Sequence, residues 1–385
     1  MGEDRPAVTC TGRALAAGAV SVAVVGVLLD HPEVAALGLA GVALVLAALA
    51  WGTRRSEVVA VRTVAPAEVI EGTPAQARIT ITNTGTRRTA QMVATDRLAD
   101  RELQVTVPSL PPGATFVTTY PVPTDRRGRF GVGPLELHES DPAGLVHVLR
   151  VRVPSAVLAV YPRAHDVVPV PTGAAADIDG PTQATSPQGG VAFHSLREYV
   201  PGDDLRLVHW LSTARSGTVM MRHNVVASEP LVTVLLDTAE SSYAGDGFEE
   251  AVRMAASWCR AAAFAGYPLE LRTTGGDVVS PSSGGVVAAV SAALADVTAT
   301  ASDPGLAALG SPRLAIAGGA LGVVSGAASD VSHRSLAWAR HRFDVVSVAM
   351  VQGVIAVERP YPGVLVVGGP TSADLAAVWN RSADR

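Results

Sequence analysis

The sequence predicts three structural modules in series: an N-terminal transmembrane helical hairpin, an antiparallel β-sandwich, and a doubly wound α/β domain with a mostly parallel sheet. Three observations carry that expectation. Two apolar runs, Ala14 to Leu29 and Val34 to Trp51, are separated only by Asp30-His31-Pro32-Glu33. Short alternating runs broken by Pro, Gly, Asn and Asp then fill Glu57 to Arg163. From Leu231 onward, near-continuous apolar runs alternate with amphipathic ones. The boundaries drawn are 1–56 for the hairpin, 57–165 for the sandwich, 166–230 for a linker and motif segment, and 231–385 for the α/β domain.

Each apolar run approaches the roughly 20 residues that cross a bilayer as a helix. A cleaved signal peptide is the competing reading, but a second span follows and no clean small-residue cleavage site ends the first. Gly18, Gly26, Gly38 and Gly41 are expected to let the two helices approach closely, as small residues do in lipid. Arg5 and Arg13 precede the hairpin, Arg54 and Arg55 follow it, and the turn carries no cation. The excess of positive charge on one side places both termini and the soluble domains on the cytoplasmic face of the cell membrane.

In the sandwich, runs such as VVAVRTV, ARITITNTG, LQVTVPSL, FVTTYPV and LELHES read as strands, with Asn83-Thr84-Gly85 and Pro111-Pro112-Gly113 as turns. Nothing there looks catalytic, and His138 and His147 read as strand residues. The module is expected to space the rest from the bilayer. Val167 to Gly190, rich in Pro, Gly, Ala, Thr and Ser, reads as a mobile linker. The α/β domain follows from strands such as LVTVLLD, FDVVSVAMV and VLVVGG alternating with helices such as FEEAVRMAASWCRAAAFAG, the pattern of a parallel sheet covered on both faces.

Composition narrows the chemistry. The 385 residues leave room for two or three domains that each bury a core, and Lys+Arg 30 against Asp+Glu 35 argues against a general nucleic-acid binder. Every cation is arginine, so a Walker A phosphate loop and a Schiff-base mechanism both lack their lysine. Cys10 and Cys259 lie far apart in sequence and suggest reduced thiols rather than a disulfide framework. The nine histidines include no H-E-x-x-H pair. The stretch Gly322-Val323-Val324-Ser325-Gly326 has the wrong spacing for a nucleophile elbow. Gly368-Gly369-Pro370 before a helix reads as an ordinary strand end, with phosphate binding at that helix N-terminus as the sharper alternative.

The densest functional signal is His194 to Arg222. It gathers Glu198, Asp203 and Asp204 with Arg197, Arg206, Arg215 and Arg222, together with Tyr199 and Trp210. Pro201-Gly202 supplies a turn, Asp203 or Asp204 is expected to cap a helix, and Leu205, Val208 and Leu211 recur at helical spacing. A partly buried ionic clamp with Trp210 inserted beneath is the expectation, because arginine forks match carboxylates best when desolvated.

The order R-E-Y-V-P-G-D-D-L-R-L-V-H-W-L-S-T-A-R resembles the signature of the DUF58 family. Arg197, Glu198, Tyr199, Pro201, Gly202, Asp203, Asp204, Arg206, Trp210, Ala214 and Arg215 sit at its positions, while His209 stands where Asp or Asn is expected. The resemblance extends upstream through RRGRFGVGPLELHESDPAGL and AVYPR, and downstream into a von Willebrand A-like domain. In that domain Asp237-Thr238-Ala239-Glu240-Ser241 resembles the metal motif D-x-S-x-S, so Asp237 and Ser241 are the implied Mg²⁺ ligands. Ala239 replaces the middle hydroxyl, and Ser325 and Asp330 match the later ligand positions only loosely. A structural remnant that takes no cofactor is therefore expected. The resemblance implies a non-enzymatic adaptor that works with a MoxR-type AAA+ ATPase in assembly or remodelling of other proteins. The alternative is a hydrolase built on Glu198, Asp203, Asp204 and His209, since clustered acids with a histidine also suit general acid–base work.

Overall fold

The computed structural model describes residues 6–52, 56–98, 101–172, 192–199, 208–225, 230–280, 285–310, 318–326 and 333–383. They form two compact units, Met1–Arg163 with Ser291–Val297, and Ala164–Val290 with Thr298–Arg385.

The first unit begins with a strand, β1 (Pro6–Val8), ahead of helices α1 (Cys10–Leu28) and α2 (Pro32–Gly52). Both helices are long and apolar enough to cross a membrane, at about 28 and 32 Å for 1.5 Å per residue. A Cβ at Gly26 would collide with the backbone of Ala35, and one at Gly38 with Ala23, so these two glycines set the close approach of the helices. Gly18, expected to join them, faces open space.

Ten strands follow: β2 (Val58–Ala65), β3 (Glu68–Ile70), β4 (Ala75–Asn83), β5 (Met92–Leu98), β6 (Arg101–Val107), β7 (Thr115–Val122), β8 (Gly128–Val132), β9 (Leu135–Ser140), β10 (Val146–Val153) and β11 (Ala156–Tyr161). One sheet runs β1-β10-β9-β5-β8-β11-β3 with β6 on β5, and the other runs β2-β4-β7. Pairing is antiparallel apart from β3 with β11. Along β4 the residues Ala75, Ala77, Ile79 and Ile81 are buried, and they share one core with Met92, Leu135, Leu137 and Leu158 of the other sheet.

Two features depart from the sequence reading. First, β1 pairs with β10, Pro6 opposite Val148 and Val8 opposite Val146, so the helices are an insertion between two strands rather than a module ahead of them. Thr9 caps α1 by accepting from Gly12 N–H at 2.9 Å, while its own N–H donates to Leu145 O at 2.9 Å. Leu145, Val146 and Val148 pack against Val45 and Ala48 of α2 and Leu15 of α1. The β unit is thus fastened directly to the helices. Second, a fully buried ion pair lies in this unit, where the sequence reading expected none. Arg62 of β2 donates to Asp96 of β5 at 3.2 Å and to Pro154 O at 2.7 Å, and Tyr120 of β7 donates to the same carboxylate. Burial, and then that hydrogen bond, pushes the Tyr120 phenol well above the usual tyrosine range.

The second unit holds β12 (Ala192–Glu198), α3 (Trp210–Ser216) and β13 (Met220–Val225), then β14 (Val232–Leu236), α4 (Gly247–Phe264), β15 (Leu269–Thr273), β16 (Val278–Val279), the start of α5 (Val286–Asp296, which belongs to the first unit from Ser291), β17 (Ala320–Gly326), α6 (His333–Arg342), β18 (Val345–Val351), β19 (Ala356–Glu358), β20 (Val364–Gly369) and α7 (Ser372–Ala383). The main sheet is ordered β16-β15-β14-β17-β18-β20-β19, parallel within and antiparallel at both edges. Its strands are buried along most of their length because helices cover both faces; β14 and β17 are buried throughout. Trp258 of α4 and Trp379 of α7 meet edge to face, with ring centroids 5.0 Å apart.

The segment expected to be a loose linker starts as a docked one. Trp379 donates to Val168 O at 2.7 Å, Asn380 accepts from Val168 N–H at 2.9 Å, and Val170 is buried. Val168 and Val170 supply the apolar anchors, and residues 173–191 lie outside the described set. Cys10 is exposed and Cys259 buried, where burial pushes its thiol well above the usual range.

Arg62→Ala strands Asp96 in the core without its cation and should lower the unfolding free energy of the full chain in detergent by about 3 to 5 kcal/mol. The apolar pair Arg62→Met with Asp96→Leu should recover part of that loss. A loss below about 1 kcal/mol for the single variant, the range of an exposed pair, contradicts the assignment.

Candidate functional site

In sheet order the parallel strands run β15-β14-β17-β18-β20, so the direction of connection reverses between β14 and β17. Ligands in open α/β sheets bind outside the carboxyl ends of strands at such a reversal. Asp237 is the first residue after β14 and is fully buried there.

Its carboxylate is enclosed by donors. Oδ1 accepts from Ala239 N–H at 3.0 Å and more distantly from the Thr274 hydroxyl at 3.4 Å. Oδ2 accepts from Ser242 at 2.8 Å and Ser325 at 2.6 Å. A second carboxylate, Asp303, accepts from the hydroxyls of Thr238 and Thr274 and from Gly305 N–H. Tyr243 donates to Asp237 O at 2.6 Å. Burial, and then the negative charges of Asp237 and Asp303, push its phenol well above the usual tyrosine range, which keeps that donor protonated.

Mg²⁺ requires oxygen lone pairs aimed at it in near-octahedral array. Here Ser242 and Ser325 direct protons at Asp237, whose acceptor positions are filled, and Ala239 offers no hydroxyl. Ser241, expected as the second ligand, is exposed: the short turn Glu240–Ser242 carries Ser242 inward and Ser241 outward. This arrangement does not fit the ion. Among the described residues no group of three His, Cys, Asp or Glu side chains gathers to hold a metal. Asp330 lies outside them. Sequence reasoning missed Thr238, Ser242, Thr274 and Asp303. The available signal was Thr273-Thr274-Gly275, which ends β15 beside Asp237, since Leu236 pairs with Thr273.

The other strand-end candidate is already occupied. At the N-terminus of α7, after Gly368-Gly369-Pro370, Ser372 N–H donates to Glu250 at 2.7 Å, so a carboxylate of the chain fills the place a phosphate would take.

The motif segment forms a two-stranded hairpin with a helix in its connection. Arg197 of β12 pairs with Met221 of β13, Glu198 with Met220, and Leu196 with Arg222. Tyr199 N–H donates to Val219 O at 2.8 Å, and His209 N–H to Met220 O at 2.8 Å. Helix α3 starts at Trp210, so Val208 precedes it and does not share a helical face with Leu211. The cap is His209, whose Nδ1 meets Ser212 N–H at 3.3 Å and the Ser212 hydroxyl at 2.8 Å. Gly217, at φ 76°, closes the other end. Gly202, Asp203, Asp204 and Arg206 lie outside the described residues. Trp210 is 71% exposed and Leu211 61%, with no described residue covering them, and Glu198, Tyr199 and Arg215 are exposed too. The expected burial is overturned because Trp210 opens α3 on its outward side. The departure at His209 has a local meaning, since Asp and Asn are the residues that cap a helix best.

Residues 195–279 match the family described as protein of unknown function DUF58, a stretch that takes in β12 from Ser195, α3, β13 and the Asp237 strand end. No curated relative matches the chain. Among solved structures, the CARDB domain of PF1109 from Pyrococcus furiosus is 14% identical, with a TM-score of 0.21 over 28% of this chain and 94% of that one. The putative ApaA protein from Bordetella pertussis is 21% identical, with a TM-score of 0.20 over 28% and 96%. Likenesses this slight carry no argument about function.

Two outcomes follow from this geometry. Millimolar Mg²⁺ should leave the melting temperature of the full chain unchanged, whereas an ion at a hundredfold excess over its dissociation constant adds about 2.7 kcal/mol. A rise abolished by Asp237→Ala would show a working ion site. At the cap, His209→Ala should weaken α3 by about 0.5 to 2 kcal/mol while His209→Asp strengthens it. Hydrogen exchange at the Ser212 and Thr213 amides reads this directly, and equal protection in all three chains rules the cap out.

Proposed function

We propose that this DUF58 protein is a non-enzymatic, membrane-anchored interaction protein. Its first unit is read as a β-sandwich, and its second as a von Willebrand A-like domain that presents a partner surface on β12, β13 and α3. The observation that carries this reading is Trp210, standing in solvent at the start of α3 beside exposed Leu211, with exposed Tyr199 and Val219 on the same hairpin. Clustered aromatics and arginines are what the energetic centres of protein interfaces are made of.

The enzymatic alternative draws less support. General acid–base chemistry on Glu198, Asp203, Asp204 and His209 needs these groups gathered at a cleft, yet the His209 ring is engaged as the cap of α3 and Glu198 is exposed on the hairpin, while Asp203 and Asp204 lie outside the described residues. Exposed apolar side chains along both N-terminal helices, among them Val24, Val27, Leu37 and Leu46, support the anchor. The arginines flanking the hairpin favour a cytoplasmic orientation. The partner implied by the family resemblance is a MoxR-type AAA+ ATPase, which would supply the work while this chain supplies anchoring and recognition.

The test is the affinity of the full chain for a MoxR-type ATPase, compared with that of Trp210→Ala. The variant should bind at least tenfold more weakly, with an unfolding free energy within about 0.5 kcal/mol of the parent. Unchanged binding, or a variant that unfolds, contradicts the assignment of Trp210 to an interface.

A further inference from the structure

The end of the first unit that carries the helices also carries two adjacent arginines open to solvent. From Gly52, the last residue of α2, to Glu57 is 57 − 52 = 5 residue steps, at most about 18 Å of extended chain. Val58 then pairs with Asn83, so the chain leaving β4 after Asn83 runs back toward the helices. It is tied there. Thr84 and Gly85 N–H donate to Glu57 O at 2.9 and 3.2 Å, and the Thr84 hydroxyl donates to the same atom at 3.1 Å. The Asn83 side chain shapes the loop, donating to Arg87 O at 2.8 Å and Leu110 O at 2.9 Å. Thr86, Arg87 and Arg88 are thereby held outward and exposed. The loop from Thr84 to Gln91 contains no acid, and among the described residues no carboxylate pairs with either arginine.

This end of the unit is rigidly joined to the helices. Arg150 donates to Gly52 O at 3.3 Å and pairs with Glu139, which also accepts from Ser56 at 2.8 Å. The Leu145 turn packs between α1 and α2 on the same side. When the helices lie in a bilayer, this face has to meet the headgroup layer.

We propose that Arg87 and Arg88 bind the phosphates of anionic phospholipids beside the hairpin, an inference that rests on the membrane-anchor reading above. A planar guanidinium matches phosphate through two parallel hydrogen bonds. Each basic residue held at an anionic membrane surface raises affinity by about fivefold, so two together contribute about thirtyfold at low salt. The contact sets the tilt of the β unit on the membrane and makes the anchoring sensitive to anionic lipid.

The test uses the full chain in detergent micelles, titrated with phosphatidylglycerol, phosphatidylcholine or soluble glycerol phosphate and read by thermal unfolding. The double variant Arg87→Ala/Arg88→Ala should weaken the apparent Kd for phosphatidylglycerol by tenfold or more and leave phosphatidylcholine unaffected. Arg87→Lys/Arg88→Lys, which keeps the charge but loses the planar fork, should bind more tightly than the alanine variant and more weakly than the parent; binding no better than the alanine variant's, together with a lowered melting temperature in the absence of lipid, would trace the effect to the fold of the loop and overturn the proposal. So would equal phosphatidylglycerol binding by the alanine variant and the parent, or glycerol phosphate binding as tightly as the lipid, which would mark a free-phosphate site. Flotation with phosphatidylcholine vesicles separates the two readings. A parent chain that fails to float sinks the anchor itself, whereas flotation of both chains with unchanged phosphatidylglycerol binding sinks the arginine assignment alone.

Discussion

Taking an arginine and a carboxylate out of water is unfavourable unless nearly every donor and acceptor finds a partner, and the first unit is organised around two places where this is arranged. Arg62, Asp96 and Tyr120 come from β2, β5 and β7, so one charged triad joins the two sheets across their shared core. Pro154 O accepts from the other terminal nitrogen of the guanidinium, and the buried Nε alone is left without a partner among the described residues. Arg150 and Glu139 do the same at the sheet end, and their network reaches Ser56 and the last carbonyl of α2. The orientation of the helices on the β unit follows from these bonds together with the Leu145 contact. Apolar packing alone tolerates sliding, while a desolvated fork admits one geometry.

The second unit handles buried charge differently. Asp237 and Asp303 are met by hydroxyls and backbone amides, donors contributed by the ends of β14, β15 and β17 and the turns after them. Such a network is worth most when every member is satisfied, and it ties together the strand ends where a ligand would otherwise bind. The same position that makes Asp237 a natural ligand-site residue thus serves as a fastening. The opposite holds at α3, where none of the described residues covers Trp210.

Much of the architecture was legible because it is local. The helical hairpin, the alternating strands and the alternation of apolar strand with amphipathic helix each declare themselves within a window of about 18 residues or fewer. Val168 and Val170 were less legible: two valines amid prolines and alanines carry little periodicity, and only the facing Trp379 reveals that the segment is docked. Of the candidate sites, the place of Asp237 at a strand end was readable from the run LVTVLLD, but the identity of its hydroxyl partners was not. Whether Ser241 or Ser242 points inward depends on a single short turn.

By itself the sequence determined the kinds of element, their order, and the exclusion of lysine-dependent chemistry, since these rest on residue type and near-neighbour spacing. Only the tertiary structure decided that β1 closes onto β10, that Arg62 finds Asp96, and that Trp210 faces water. Each of these is a relation between residues far apart in the chain. Hydrophobic pattern says that a side chain gains by being covered; it does not say which distant residues arrive to cover it, and for Trp210 none of the described residues do.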